Sequence, residues 1–214
     1  RELQNGDYAP GQWMISEFHA TNLVSVLHPC TLMRIHTMTA DAFPTRPVVM
    51  FDGGMRTDYV EGNGVINLCG NNQTFDRLVS KDSSFEKKGL VKSTGAHATL
   101  TLAGTDSAYT YACLAEELSV VWNPIDSSCT QTFANRIHTM SGAIIVSNGT
   151  FAAEGAISFA NAKRIEIAPG GRLLINSSLA NSFAGVEQID IAKDAILEIV
   201  SGVTAFSPNK AVLN

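Results

Sequence analysis

Residues 165–176 read IEIAPGGRLLIN and residues 189–200 read IDIAKDAILEIV, and no other feature of the sequence restricts the fold as strongly. Ile165, Ile167, Leu173 and Ile175 reappear one unit later as Ile189, Ile191, Leu197 and Ile199. A third copy, IIVSNGTFAA at 144–153, lies one unit earlier and puts Ile144 and Val146 in the places of Ile165 and Ile167. Phe151 stands in the same way for Leu173. Each copy holds two short alternating strands around a turn of Gly, Asn, Asp, Pro or Lys, with no helical i, i+3, i+4 spacing between them. The unit is about 21–24 residues, too short to bury its own apolar face, and it needs stacked neighbours. The spacing therefore predicts an all-β chain, a β-solenoid whose coils rise about 4.8 Å each. A β-sandwich would also supply short strands, but not the same phase at a fixed offset.

Composition agrees with a structural body and says less about function. Charged residues make up 16% of the 214 positions, against about 25% in an average soluble domain. The net charge of −5 argues against a nucleic-acid partner and against an anionic membrane surface. No apolar run reaches the roughly 18 residues of a membrane helix, so no direct membrane insertion is expected. The chain starts at Arg1 and shows no signal-peptide pattern, as a processed or excised segment would.

The first half carries a resemblance. INLCGNNQTFDRL at 66–78, GLVKSTGAHATLTLAG at 89–104 and SGAIIVSNGTFAAEG at 141–155 together resemble the autotransporter-associated β-strand repeat, over about residues 48–104 and 138–200. That resemblance implies a single-stranded right-handed parallel β-helix, in an exported bacterial protein held at the cell surface, extracellular or attached to the outer membrane. It implies a stalk or adhesion role without enzymatic activity or cofactor. Two departures stand out. The short link that follows the TLTL strand in the family is replaced by the longer stretch 105–137, and the C-terminus lacks the amphipathic strands of a translocator barrel.

The domain organisation expected is therefore an irregular N-terminal cap or first coils with long turns over 1–47, then a parallel β-helix over 48–214. The stretch 105–137 is expected to leave the coil path as a side-loop insertion, with a short helical turn at 112–117. Solenoid insertions frequently carry the binding face. The candidate binding residues are thus Tyr109, Tyr111 and Trp122, as aromatic platforms for a glycan or for a host or cell-surface protein. Corner asparagines such as Asn71 and Asn72 suit hydrogen-bonded ladders between coils.

Cys30, Cys69, Cys113 and Cys129 include no C-x-x-C pair. They allow either buried thiols or two bridges, and Cys113 with Cys129 would close a short loop. The five histidines, His28 and His36 among them, have no zinc-clip spacing, and no metal is expected. No nucleophile elbow, zincin, phosphate-loop or EF-hand motif occurs. An alternative reading comes from fold analogy: β-helix polysaccharide lyases and glycoside hydrolases place carboxylates on one face. Asp52 and Asp76, separated by close to one repeat, are the acids that would stack there.

Overall fold

The computed structural model describes residues 66–75, 77–78 and 90–200 with their side chains, and the backbone of further strands between 14 and 67, at 79 and at 212–213. The elements run coil by coil: β1–β3 (Met14–Ile15, Phe18–Ala20, Leu23–Val26), β4–β6 (Cys30–Leu32, Ile35–Thr37, Val48–Phe51) and β7–β9 (Met55–Thr57, Val60–Gly62, Val65–Asn67). They continue as β10–β12 (Gln73–Phe75, Leu78–Val79, Leu90–Leu102), β13–β14 (Ala108–Thr110, Cys113–Trp122) and β15 (Thr130–Ala134). The last are β16–β17 (Ala143–Val146, Gly149–Gly155), β18–β19 (Arg164–Ile167, Gly171–Ser177), β20–β21 (Gln188–Ile191, Ile196–Ile199) and β22 (Val212–Leu213). Every pairing among them is parallel, and the described residues contain no helix. The chain is a parallel β-solenoid.

Three ladders run along its length. The first joins β1, β4, β7, β10, β12, β14, β16, β18, β20 and β22. The second is β2-β5-β8-β11 followed by β13-β15-β17-β19-β21. The third joins β3, β6 and β9 to the opening residues of β12, which in turn pair with the opening residues of β14. β12 and β14 each turn a corner within one strand. Their register shifts between Ser93 and Ala98, and Gly95 (φ 84°) and Glu116 (φ 63°) adopt left-handed backbone there. Beyond β14 the third side is built from the loop segments 137–141, 156–162 and 178–186. They stay tied coil to coil by backbone bonds such as His138 N–H to Ser158 O and Phe159 N–H to Ser182 O.

The repeat read from sequence is the register of the ladders. Ile144 pairs with Ile165 and Ile165 with Ile189; Phe151 pairs with Leu173 and Leu173 with Leu197. Equivalent turns keep the same hydrogen bond, Gly171 N–H to Ala168 O (2.9 Å) and Ala195 N–H to Ala192 O (3.1 Å). At the corner of that turn Gly170 has φ 84° and its counterpart Asp194 φ 67°. Aspartate is among the few side chains that tolerate this region, so the glycine is replaceable there.

The stretch 105–137 is not an insertion. β13, β14 and β15 are coil strands in register with their neighbours: Val120 faces Ile144, and Gln131 faces Phe151. The helical turn expected at 112–117 is instead the cornered strand β14. Within 1–47 the strands β1 to β5 join the ladders by parallel pairing.

Inside, the first ladder presents the column Phe75, Leu102, Trp122, Val146, Ile167, Ile191, and the second the column Thr110, Phe133, Ala153, Ile175, which Ile199 continues in register but with its side chain exposed. Phe133 and Phe151 stack at 4.9 Å, and Phe159 and Phe183 extend the cluster. One polar residue enters this interior for a reason. The second ladder is interrupted between β11 and β13, which are not paired. Gln131 reaches past the small Ala108 and binds the backbone of Leu78 on both sides, Nε2 donating to the carbonyl (3.1 Å) and Oε1 accepting from the N–H (3.4 Å). A side-chain amide thus replaces the missing strand pairing.

Candidate functional site

Outward positions of the second ladder are filled by small residues between β13 and β17, and two tyrosines lie there. Tyr109 starts on β13, and its hydroxyl donates to Glu154 Oε2 at 3.2 Å, two coils further along. Its ring therefore spans β15, whose outward Thr132 and Ala134 are buried, as is Ala152 on β17. Tyr111 stands beside it, ring centres 5.1 Å apart and planes inclined by 53°. Arg136 Nε donates to the Tyr111 carbonyl and holds that corner. Burial, then Tyr111, then Glu154 push the Tyr109 hydroxyl well above its ordinary value. It stays a neutral donor, so this face carries a proton-donating phenol, a carboxylate and an inclined aromatic pair, with Tyr109 still 39% exposed.

Trp122 does not join them. It is fully buried in the first ladder's inner column, between Leu102 and Val146, so it offers no surface to a glycan. The reason is alternation: Leu118, Val120 and Trp122 all point inward along β14. Cys113 and Cys129 are not bridged to each other. Cys113 opens β14, whereas Cys129 is buried at the start of the second side, its thiol donating to Thr105 O at 3.1 Å. Asp52 and Asp76 lie outside the described residues, as do the side chains of His28 and His36. Three corner asparagines bind backbone: Asn72 Oδ1 accepts from Thr99 N–H (2.8 Å), Asn135 Oδ1 from Ala156 N–H (3.0 Å), and Asn148 Nδ2 donates to Pro124 O (3.0 Å).

One constellation has no sequence motif because it is assembled across coils. His97 Nε2 is 2.8 Å from Ser119 Oγ, and His97 Nδ1 is 3.7 Å from Glu117 Oε2. The residue types and order are those of a nucleophile, base and orienting acid. The surroundings do not suit acyl transfer. Ser119 is 7% exposed and its Oγ already accepts the Ala143 N–H at 2.9 Å. Gly142 roofs it so closely that an added Cβ would sit 2.3 Å from that oxygen. The nearby N–H groups of Ser141 and Gly142 are engaged by Glu116 O and Leu118 O, so neither is left to hold an oxyanion. The trio is a corner clasp, and a fluorophosphonate probe incubated with the folded chain is expected to leave Ser119 unmodified by mass spectrometry.

Exterior charges are used along the axis. Arg77–Asp106, Lys92–Glu116, Lys163–Glu187, Arg164–Asp190 and Arg172–Glu198 each join residues 24 to 29 positions apart, from one coil to the next. Exposed pairs of this kind contribute about 0.2–1 kcal/mol each. Comparison of the chain with protein-family models, with curated proteins and with solved structures finds no match.

Proposed function

We propose that this chain is a non-enzymatic rod segment of an exported bacterial surface protein, of the autotransporter-associated β-strand repeat kind, and that its Tyr109–Tyr111 face contacts a glycan. What supports the structural part is the use of exterior ionisable residues among the described ones, five pairs of which couple neighbouring coils. What supports the glycan is the inclined pair of phenol rings with a carboxylate at its edge, an arrangement that gives a sugar both an apolar face and a hydrogen-bond partner. The likeness of residues 66–78, 89–104 and 141–155 to the repeat family carries the compartment.

The test is a glycan-array screen of the whole chain, with reducing-end assays on each hit. Binding without cleavage is expected, weakened at least about tenfold in Tyr109→Ala and in Tyr111→Ala at unchanged circular dichroism, the loss of roughly 1.4 kcal/mol that one stacked ring supplies. Cleavage of a hit would refute the non-enzymatic reading and direct attention to Asp52 and Asp76. Binding that ignores both tyrosine changes would move the contact elsewhere on the rod.

A further inference from the structure

His138 is the described histidine with no access to solvent, and it stands where the third side passes from paired strand to loop. Its ring joins three coils. Nδ1 accepts the N–H of Leu114 at 2.9 Å in the preceding coil, and the main-chain N–H of His138 donates to Ser158 O at 2.8 Å in the following coil. The ring lies flat on Phe159, centres 4.2 Å apart and planes 3° from parallel, and meets the edge of Phe133 at 5.7 Å. Because Leu114 donates to Nδ1, the neutral ring carries its proton on Nε2, and that atom is buried without a hydrogen-bond partner. An imidazole nitrogen thus takes the place of a strand carbonyl, in a pocket of aromatic carbon.

We propose that His138 is an acid-released latch: protonation of its ring detaches Leu114 and loosens the third side of the rod at this seam. A proton on Nδ1 turns the acceptor into a donor aimed at another donor, and it places a cation between two phenyl rings with no anion to meet it. The groups around it offer no relief. On its own segment the charged neighbour is Arg136, which opposes a second positive charge. β14 carries Cys113, Glu116 and Glu117; both carboxylates are exposed and engaged outside, Glu116 with Lys92 and Glu117 beside His97 and Ser141. β15 and the segment 156–162 bring no ionisable residue.

Burial, then Arg136, lower the ring from the ordinary 6.5 to about 3 in the folded chain. Between those values the unfolded chain holds the extra proton, so His138 leaves stability intact above about pH 6.5 and withdraws it as pH falls. From about pH 6 to about pH 4 the folding equilibrium constant of the whole chain is expected to fall roughly 50- to 100-fold more than that of His138→Asn, which keeps an acceptor but does not titrate. Equal pH profiles for the two proteins would sink the latch. Amide exchange of the unaltered chain gives a second readout that needs no variant. Over the same range the protection of the Leu114 amide, corrected for the intrinsic rate, is expected to drop at least about tenfold more than that of Ile144 in the core. A drop shared equally by both amides would mean that acid acts globally and not at this seam.

Discussion

Replacing Trp122 by alanine is expected to lower the stability of the rod by about 4 kcal/mol, the range of large aromatic deletions from a packed core. The indole is fully buried in a column with Leu102 below it and Val146 above, so its removal leaves a void that a parallel ladder held on both sides cannot close. Its Nε1 is buried without a hydrogen-bond partner, so the loss is one of packing and not of polar contact. Trp122→Phe, which retains an aromatic body and discards that N–H, is expected to recover more than half of the difference. Urea titration followed by circular dichroism reads both values from the shift in midpoint at constant slope. A Trp122→Ala protein as stable as the parent would place the indole at the surface and contradict the packing described above.

Gln131→Met is expected to cost a similar amount, about 3–4 kcal/mol, although it removes no volume. The substitution leaves the N–H and the carbonyl of Leu78 inside the solenoid without partners, and each such group costs about 1–3 kcal/mol. Gln131→Glu separates the two contributions. It keeps an acceptor for the Leu78 N–H and loses the donor to the carbonyl, and it adds a buried carboxylate whose loss of stability grows as pH rises. Denaturant midpoints of the two variants, taken at about pH 5 and about pH 8, decide the matter. If Gln131→Met matches the parent, the interrupted second ladder needs no side-chain splice.

The repeat was legible because Ile, Leu and Phe recur at the inner positions of β16 to β21, and nothing else in a chain imposes that phase. The same fold was hidden over 105–137 for two physical reasons. Its inner positions hold Ala108, Thr110, Ala112, Gln131 and Trp122, small or polar or bulky, where the eye looks for aliphatic residues. Its coils also change length, the step from Leu100 to its partner Val120 being shorter than the step from Val120 to Ile144, so no constant offset survives. Tyr109 and Tyr111 were legible only as aromatics of an expected side loop, grouped there with Trp122; that they flank one corner of a coil follows from β13 and its pairing with β15. His138 and the His97–Glu117–Ser119 clasp were not legible, because their partners are set by coil stacking and lie about one turn away in sequence.

The direction of the hydrogen bonds has a mechanical consequence. In a parallel solenoid the ladder bonds run along the long axis, as do Lys163–Glu187, Arg164–Asp190 and Arg172–Glu198. A pull on the two ends of the rod therefore strips one coil at a time, instead of shearing all coils together. Each coil, about 24 residues, releases roughly 80 Å of extended chain as it detaches. Such a rod yields by lengthening in steps, and a tether built from it would absorb a tug by letting out chain before it parted.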